Sequence, residues 1–156
     1  MDCRFCKIID QNSGRTILRQ TDCCVVILSN PRLMPGHLLV IPKRHVEKLN
    51  ELTKEERDDL FDQVARLQEK IVQTIAAGCD ICQHFRPFVP ENPFKVSHLH
   101  VHLRPRSLND ELYEKVQIHE REIFRETDEA DFEKYKKIFG DESDGADTDS
   151  SLTDRG

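Results

Sequence analysis

The chain has 156 residues, 37% of them hydrophobic and 33% charged, with a formal net charge of −6. That is one domain's length, enough to bury a core without disulfide staples, and no apolar run is long enough to span a membrane. The start, Met1 to Cys6, lacks the basic residues and apolar stretch of a signal peptide, so the cytosol is the expected compartment.

The charge is unevenly placed. Residues 141–156 hold six acids and one arginine, a net of −5, which leaves −1 for residues 1–140. This Asp/Ser/Thr/Gly-rich tail has one large apolar residue, Leu152, and is predicted to be disordered, with residues 1–140 forming the folded domain. A near-neutral body argues against a broad nucleic-acid surface, and with it a zinc module that binds nucleic acid, but leaves room for a small basic phosphate site.

In chain order, residues 3–10 read as a short helix or a metal-binding knuckle. Thr16 to Gln20 and Cys23 to Leu28 are β-prone runs flanking Thr21-Asp22, a predicted hairpin. After the Pro-rich stretch 30–36, His37 to Ile41 is a predicted buried strand that stops at Pro42. Thr53 and Glu56 form a capping-box signature. Behind them Leu60, Val64, Leu67, Ile71 and Ile75 follow helical spacing to a stop at Gly78. Short apolar pieces broken by Pro87, Pro90 and Pro93 come next, then a strand from about Val96 to Arg104 ending at Pro105. Two acidic helices are expected last, at about 109–126 and 129–139. The order predicts an antiparallel α+β domain.

Ser97 to Arg104 alternates polar and apolar residues, so Leu99, Val101 and Leu103 are expected to face the core and His98, His100, His102 and Arg104 the other side. A row of imidazoles ending in a guanidinium admits three readings. It is a His-rich polar face, a catalytic metal site, or a nucleophilic site in which one imidazole attacks phosphorus while its neighbours manage protons. His98-Leu-His100-Val-His102-Leu resembles the closing signature of the histidine-triad family. Upstream, Pro35-Gly36-His37 through Pro42-Lys43 is similar to that family's Pro-Gly-His strand, and Cys3-Arg-Phe-Cys6-Lys-Ile-Ile resembles the start of many bacterial members. Arg86-Pro-Phe88 before the triad and Asp110-Glu-Leu-Tyr113 after it resemble a bacterial subgroup of diadenosine tetraphosphate hydrolases.

The resemblance implies an antiparallel sheet with one long helix and a homodimer, with the helix at 54–77 and a sheet edge as contacts. It implies His100 as the nucleophile that takes a nucleotide's α-phosphoryl group, with His37 and His102 stabilising developing charge and Ser29 and Asn30 near the ribose. The implied substrate is a dinucleoside polyphosphate or nucleotide conjugate, with release of a nucleoside monophosphate. A nucleoside phosphoramidase, or a nucleotide-binding module with little turnover, are the alternatives. One departure matters: the amide-rich turn usual before the triad is replaced by prolines and phenylalanines, with Lys95 where a phosphate-contacting Ser or Thr is usual. Arg86, Lys95 and Arg104 are therefore expected to supply cationic phosphate contacts. The resemblance also implies a structural zinc held by Cys3, Cys6, His45 and His98. A four-cysteine site with Cys79 and Cys82 is the rival arrangement, and those two read equally well as core residues.

Overall fold

In the computed structural model, residues 3–11, 16–92, 94–116, 120 and 123–139 are described. The chain divides into two compact units, Met1–Ile118 and His119–Gly156. The first holds α1 (Arg4–Gln11), β1 (Ile17–Gln20), β2 (Cys24–Leu28), β3 (Leu38–Pro42), α2 (Lys54–Thr74), β4 (Gly78–Gln83), β5 (Val101–Arg106) and α3 (Glu111–Lys115). The second holds α4 (Glu129–Phe139). The tail expected to be disordered lies outside the described residues. Among the described residues no helix is long and apolar enough to cross a membrane.

The five strands form one antiparallel sheet in the order β1-β2-β3-β5-β4, the α+β architecture expected. Strand alternation divides the core between its two faces. On one face Val26, Val40, Val101 and Leu103 pack with Leu60, Val64 and Ile71 of α2. On the other, Val25, Ile27, Leu39 and Ile41 pack with Cys3 and Phe5 from the start of the chain.

The α2 capping box forms as predicted: Thr53 Oγ1 accepts from the Glu56 amide at 3.2 Å, and Glu56 Oε2 accepts from the Thr53 amide at 2.8 Å. Four local expectations shift. The helix ends at Thr74, capped at Ile75, because Gly78 is already the first residue of β4 paired with Arg106. The triad strand begins at Val101, not Val96. Pro105 lies inside it, because its missing N–H falls beyond the last β3 pair, Leu38 with Leu103. Gly36 fits against that proline with φ +77, where a Cβ would sit 3.2 Å from the Pro105 ring. The helix expected over 109–126 is only α3, capped by Asp110. It ends at its C-cap, Val116, whose φ of −126° leaves the helical region, and 117–119 and 121–122 lie outside the described residues.

Candidate active site and metal centre

The site is built where α1, the loop after β3 and the approach to β5 meet on one face of the sheet. Cys3 and Cys6 are one helical turn apart, and the Lys7 amide bonds the Cys3 carbonyl at 3.1 Å to start α1. His45 follows β3. His98 precedes β5 and is 2% exposed, drawn inward by the bond from the Leu99 amide to the Val46 carbonyl at 2.6 Å. His98 and His100 are therefore not members of the strand, and His98 does not share the open face with His102.

The ligand atoms of Cys3, Cys6, His45 and His98 lie within 4.8 Å of one another, a group that could hold a metal ion. Cys3 Sγ is 3.4 Å from His98 Nδ1, Cys6 Sγ 3.6 Å from the same atom, and Cys6 Sγ 3.4 Å from His45 Nδ1. Metal–sulfur and metal–nitrogen bonds of about 2.3 and 2.0–2.1 Å in a tetrahedron put S and N roughly 3.5 Å apart. Those three separations match the edges of a tetrahedral site, and two thiols with two imidazoles are a donor set that suits one. His98 Nε2 donates to the Pro42 carbonyl at 2.9 Å, which leaves Nδ1 unprotonated and aimed at the thiols. Cys79 packs toward α2, whereas Cys82 pairs with His102 on the other face, so the four-cysteine arrangement is not assembled.

Beside this cluster is a cleft of about 780 Å³. Ser29, Asn30, His37, Arg86, Lys95, His100, His102 and Arg104, the residues expected to bind or act on substrate, all line it. Three of the five that are not histidines are already engaged within the protein. Ser29 Oγ donates to the Pro31 carbonyl at 2.8 Å, the Asn30 carbonyl accepts from Arg4, and Lys95 Nζ donates to the Val89 carbonyl. A neutral carbonyl leaves the Lys95 charge in place. Phe5, Ile8, Ile27 and Leu39 supply an apolar wall.

Hydrogen bonds set the imidazole tautomers. The Leu33 amide donates to His37 Nδ1 at 3.3 Å, so the neutral ring carries its proton on Nε2. That proton points to His102 Nδ1, 2.9 Å away, and leaves the His102 proton on its Nε2. His100 Nδ1 donates to the His98 carbonyl at 2.6 Å, which leaves His100 Nε2 with a lone pair. Burial lowers the pKa of all three, with nearby Arg104 adding to the effect at His37 and His102. His37 is brought to about 4 and His102 to about 2. All three rings are neutral near pH 7.

A fourth histidine of the cleft was not foreseen. His84 follows Gln83, the last β4 residue in register with β5, and its ring centroid lies 5.3 Å from that of His102. Reading residues 78–83 as a strand antiparallel to the triad strand would have found it, because 80, 82 and 84 then share the face of His102 and Arg104.

Residues 10–109 match the HIT domain family model. The chain belongs to the HIT domain family. This HIT protein is 31% identical over 121 residues to a bis(5'-nucleosyl)-tetraphosphatase (asymmetrical) of Schizosaccharomyces pombe, covering 69% of this chain and 60% of that one. It is 33% identical over 115 residues to the adenylylsulfatase HINT3 of Arabidopsis thaliana, covering 72% and 56%. The HIT chain thus spans a little over half the length of these curated relatives. A crystal structure of a Zn-bound histidine triad family protein from Mycobacterium smegmatis superimposes with a TM-score of 0.61 at 26% identity, covering 72% of this chain and 80% of that one.

Proposed function

We propose that this HIT protein is a nucleotide hydrolase or transferase that cleaves at the α-phosphate of a dinucleoside polyphosphate or nucleotide conjugate through a nucleotidyl-histidine. The observation that carries this is the tautomer of His100: a neutral ring, held at Nδ1 by the His98 carbonyl, with a lone pair on Nε2 in a cationic cleft. His100 Nε2 bonds to the α-phosphorus while the bond from phosphorus to the leaving-group atom breaks, that atom keeping the electron pair. Water then attacks phosphorus and loses a proton, the P–N bond returns its electrons to Nε2, and a nucleoside monophosphate leaves. His102 Nε2–H, set by the chain from Leu33 through His37, is the donor for charge building on the phosphoryl oxygens. The apolar wall suits a base, and Ser29 and Asn30 lie within the same cleft for the ribose. Names of relatives agree: one is a dinucleoside tetraphosphatase and another an adenylylsulfatase.

Zinc is the proposed ion for Cys3, Cys6, His45 and His98, in keeping with the two-thiolate, two-imidazole donor set and the Zn-bound relative. Four protein ligands would leave no open position, so its role is structural. A homodimer is proposed on the edge strand β4, where Ile81 is exposed, and on a second apolar stripe of α2 and its cap, where Phe61, Val72 and Ile75 are about half exposed. Placement in the cytosol completes the reading.

The test is incubation with diadenosine tetraphosphate and with an adenosine phosphoramidate, following adenosine monophosphate release by wild type and His100→Ala. Release by the wild type and its loss in His100→Ala is expected. No release from either substrate by the wild type would leave a nucleotide-binding module in its place.

A further inference from the structure

The cleft is lined by Arg4, Lys7, Arg32, Arg86, Lys95 and Arg104 and, among the described residues, by no carboxylate. Arg104 differs from the others in how it is held. It lies on β5, one same-face step of about 6.5–7 Å beyond His102. The sheet register sets Asp80 of β4 opposite it. Yet the Asp80 carboxylate bonds Arg106, which also grips Asp110 at 2.6 and 3.0 Å. Arg104 Nε is left buried with no hydrogen-bond partner among the described residues. A buried donor in that state is costly unless something else accepts from it.

His84 approaches the same point from the neighbouring strand. It is half-buried and lines the cleft, its ring centroid 5.3 Å from that of His102. Burial, with Arg86 and Arg104 nearby, keeps its ring neutral, so one ring N–H is available to an incoming anion without an added charge to repel. The apolar wall comes from α1, β2 and β3, whereas His84, Arg86 and Arg104 come from β4, its continuation and β5. The two halves of a substrate would meet different chemistry on either side of His100 and His102.

We propose that His84 and Arg104 form a specificity-determining anion subsite for the phosphates of the leaving group, so that the cleft prefers substrates whose leaving group is itself a polyphosphate. This rests on the nucleotidyl-histidine reading above and deepens it. With the base against the apolar wall, in-line displacement by His100 directs the leaving group away from Nε2. When the phosphorus–oxygen bond breaks, the electron pair stays on the bridging oxygen and adds negative charge to the departing chain. Arg104 Nε–H and the His84 ring N–H are donors for that charge, and no proton need be transferred. A leaving group without phosphates, such as an amine, would not reach them.

The test compares His84→Asn, Arg104→Leu and Arg104→Lys with wild type on diadenosine tetraphosphate and on an adenosine phosphoramidate. Inorganic tripolyphosphate is titrated calorimetrically into each protein. For His84→Asn and Arg104→Leu, kcat/KM on the tetraphosphate should fall about 10- to 100-fold, the loss of a hydrogen bond to a charged group, with partial recovery in Arg104→Lys. Phosphoramidate kcat/KM should fall at least about tenfold less than the tetraphosphate value, and unchanged thermal melting shows that the variants are folded. Tripolyphosphate affinity should fall in parallel with the tetraphosphate rate. Equal losses on both substrates, or no loss on either, overturn the subsite while leaving the nucleotidyl-histidine reading standing. A wild type that releases nucleoside monophosphate from neither substrate removes both.

Discussion

The main-chain carbonyl of His98 accepts a hydrogen bond from Nδ1 of His100 at 2.6 Å, while the His98 side chain closes the Cys3–Cys6–His45 cluster. One residue therefore serves two sites: its imidazole faces the thiols and its carbonyl sets the tautomer of the proposed nucleophile. An ion held by the cluster would therefore sit beside the proposed nucleophile. A metal that fixes His98 fixes the backbone from which His100 is held.

Removal of the ion is accordingly expected to reduce both stability and turnover. Mass spectrometry of native protein should find one zinc per chain, lost in Cys3→Ser and retained in Cys79→Ser. Treatment with a chelator should lower the melting temperature and the rate together. Zinc retained in Cys3→Ser, or lost only in Cys79→Ser, would overturn the ligand assignment.

Replacing His37 by Gln breaks the relay that begins at the Leu33 amide and ends at His102 Nδ1. The His102 ring is then free to place its proton on either nitrogen. We expect kcat to fall roughly 10²-fold with KM little changed, since the donor acts on charge that appears only in the transition state. An unchanged kcat would show that His102 needs no such orientation.

The pH dependence of stability follows from the same ring. His37 has a folded pKa of about 4, against about 6.5 in an unfolded chain. Above pH 6.5 neither state binds the proton and the full stability is present. Between pH 6.5 and 4 only the unfolded state binds it, so stability falls as pH falls, by an amount on the order of 1–3 kcal/mol. Glu56, held at about 2 chiefly by its hydrogen bond from Arg44, withdraws stability only below about pH 4.5. Urea midpoints measured from pH 7.5 to 5 should decline, and the decline should be shallower in His37→Gln. Identical slopes for the two proteins would count against the buried neutral ring.

Association is the property with the simplest readout. Sedimentation equilibrium of wild type should report a dimer, and Val72→Asp combined with Ile81→Lys should shift it to monomer, because charge would enter the α2 stripe and the β4 edge. A monomeric wild type, or a double variant that remains dimeric, would place the contact elsewhere or remove it.

Much of this was legible in the linear sequence, and for local reasons. The alternation of Val101 and Leu103 with His102 and Arg104 decides which side chains of β5 are buried, because a strand has a period of two. The spacing of Cys3 and Cys6 places two thiols one helical turn apart, and Thr53 with Glu56 marks the start of α2. The motif residues also suffice to assign the family. Only tertiary structure decided that the triad histidines occupy three different environments. His98 leaves the strand because the Leu99 amide pairs with Val46 rather than with a neighbouring strand. The His37–His102 bond joins residues 65 apart, and its polarity depends on an amide from a loop whose conformation no short-range preference dictates. His84 became visible only once β4 was seen beside β5, since a row of residues such as 78–83 acquires a face from its partner strand. Which groups are protonated, and where, is a property of burial and pairing across the sheet, so the chemistry of the histidines had to come from the fold.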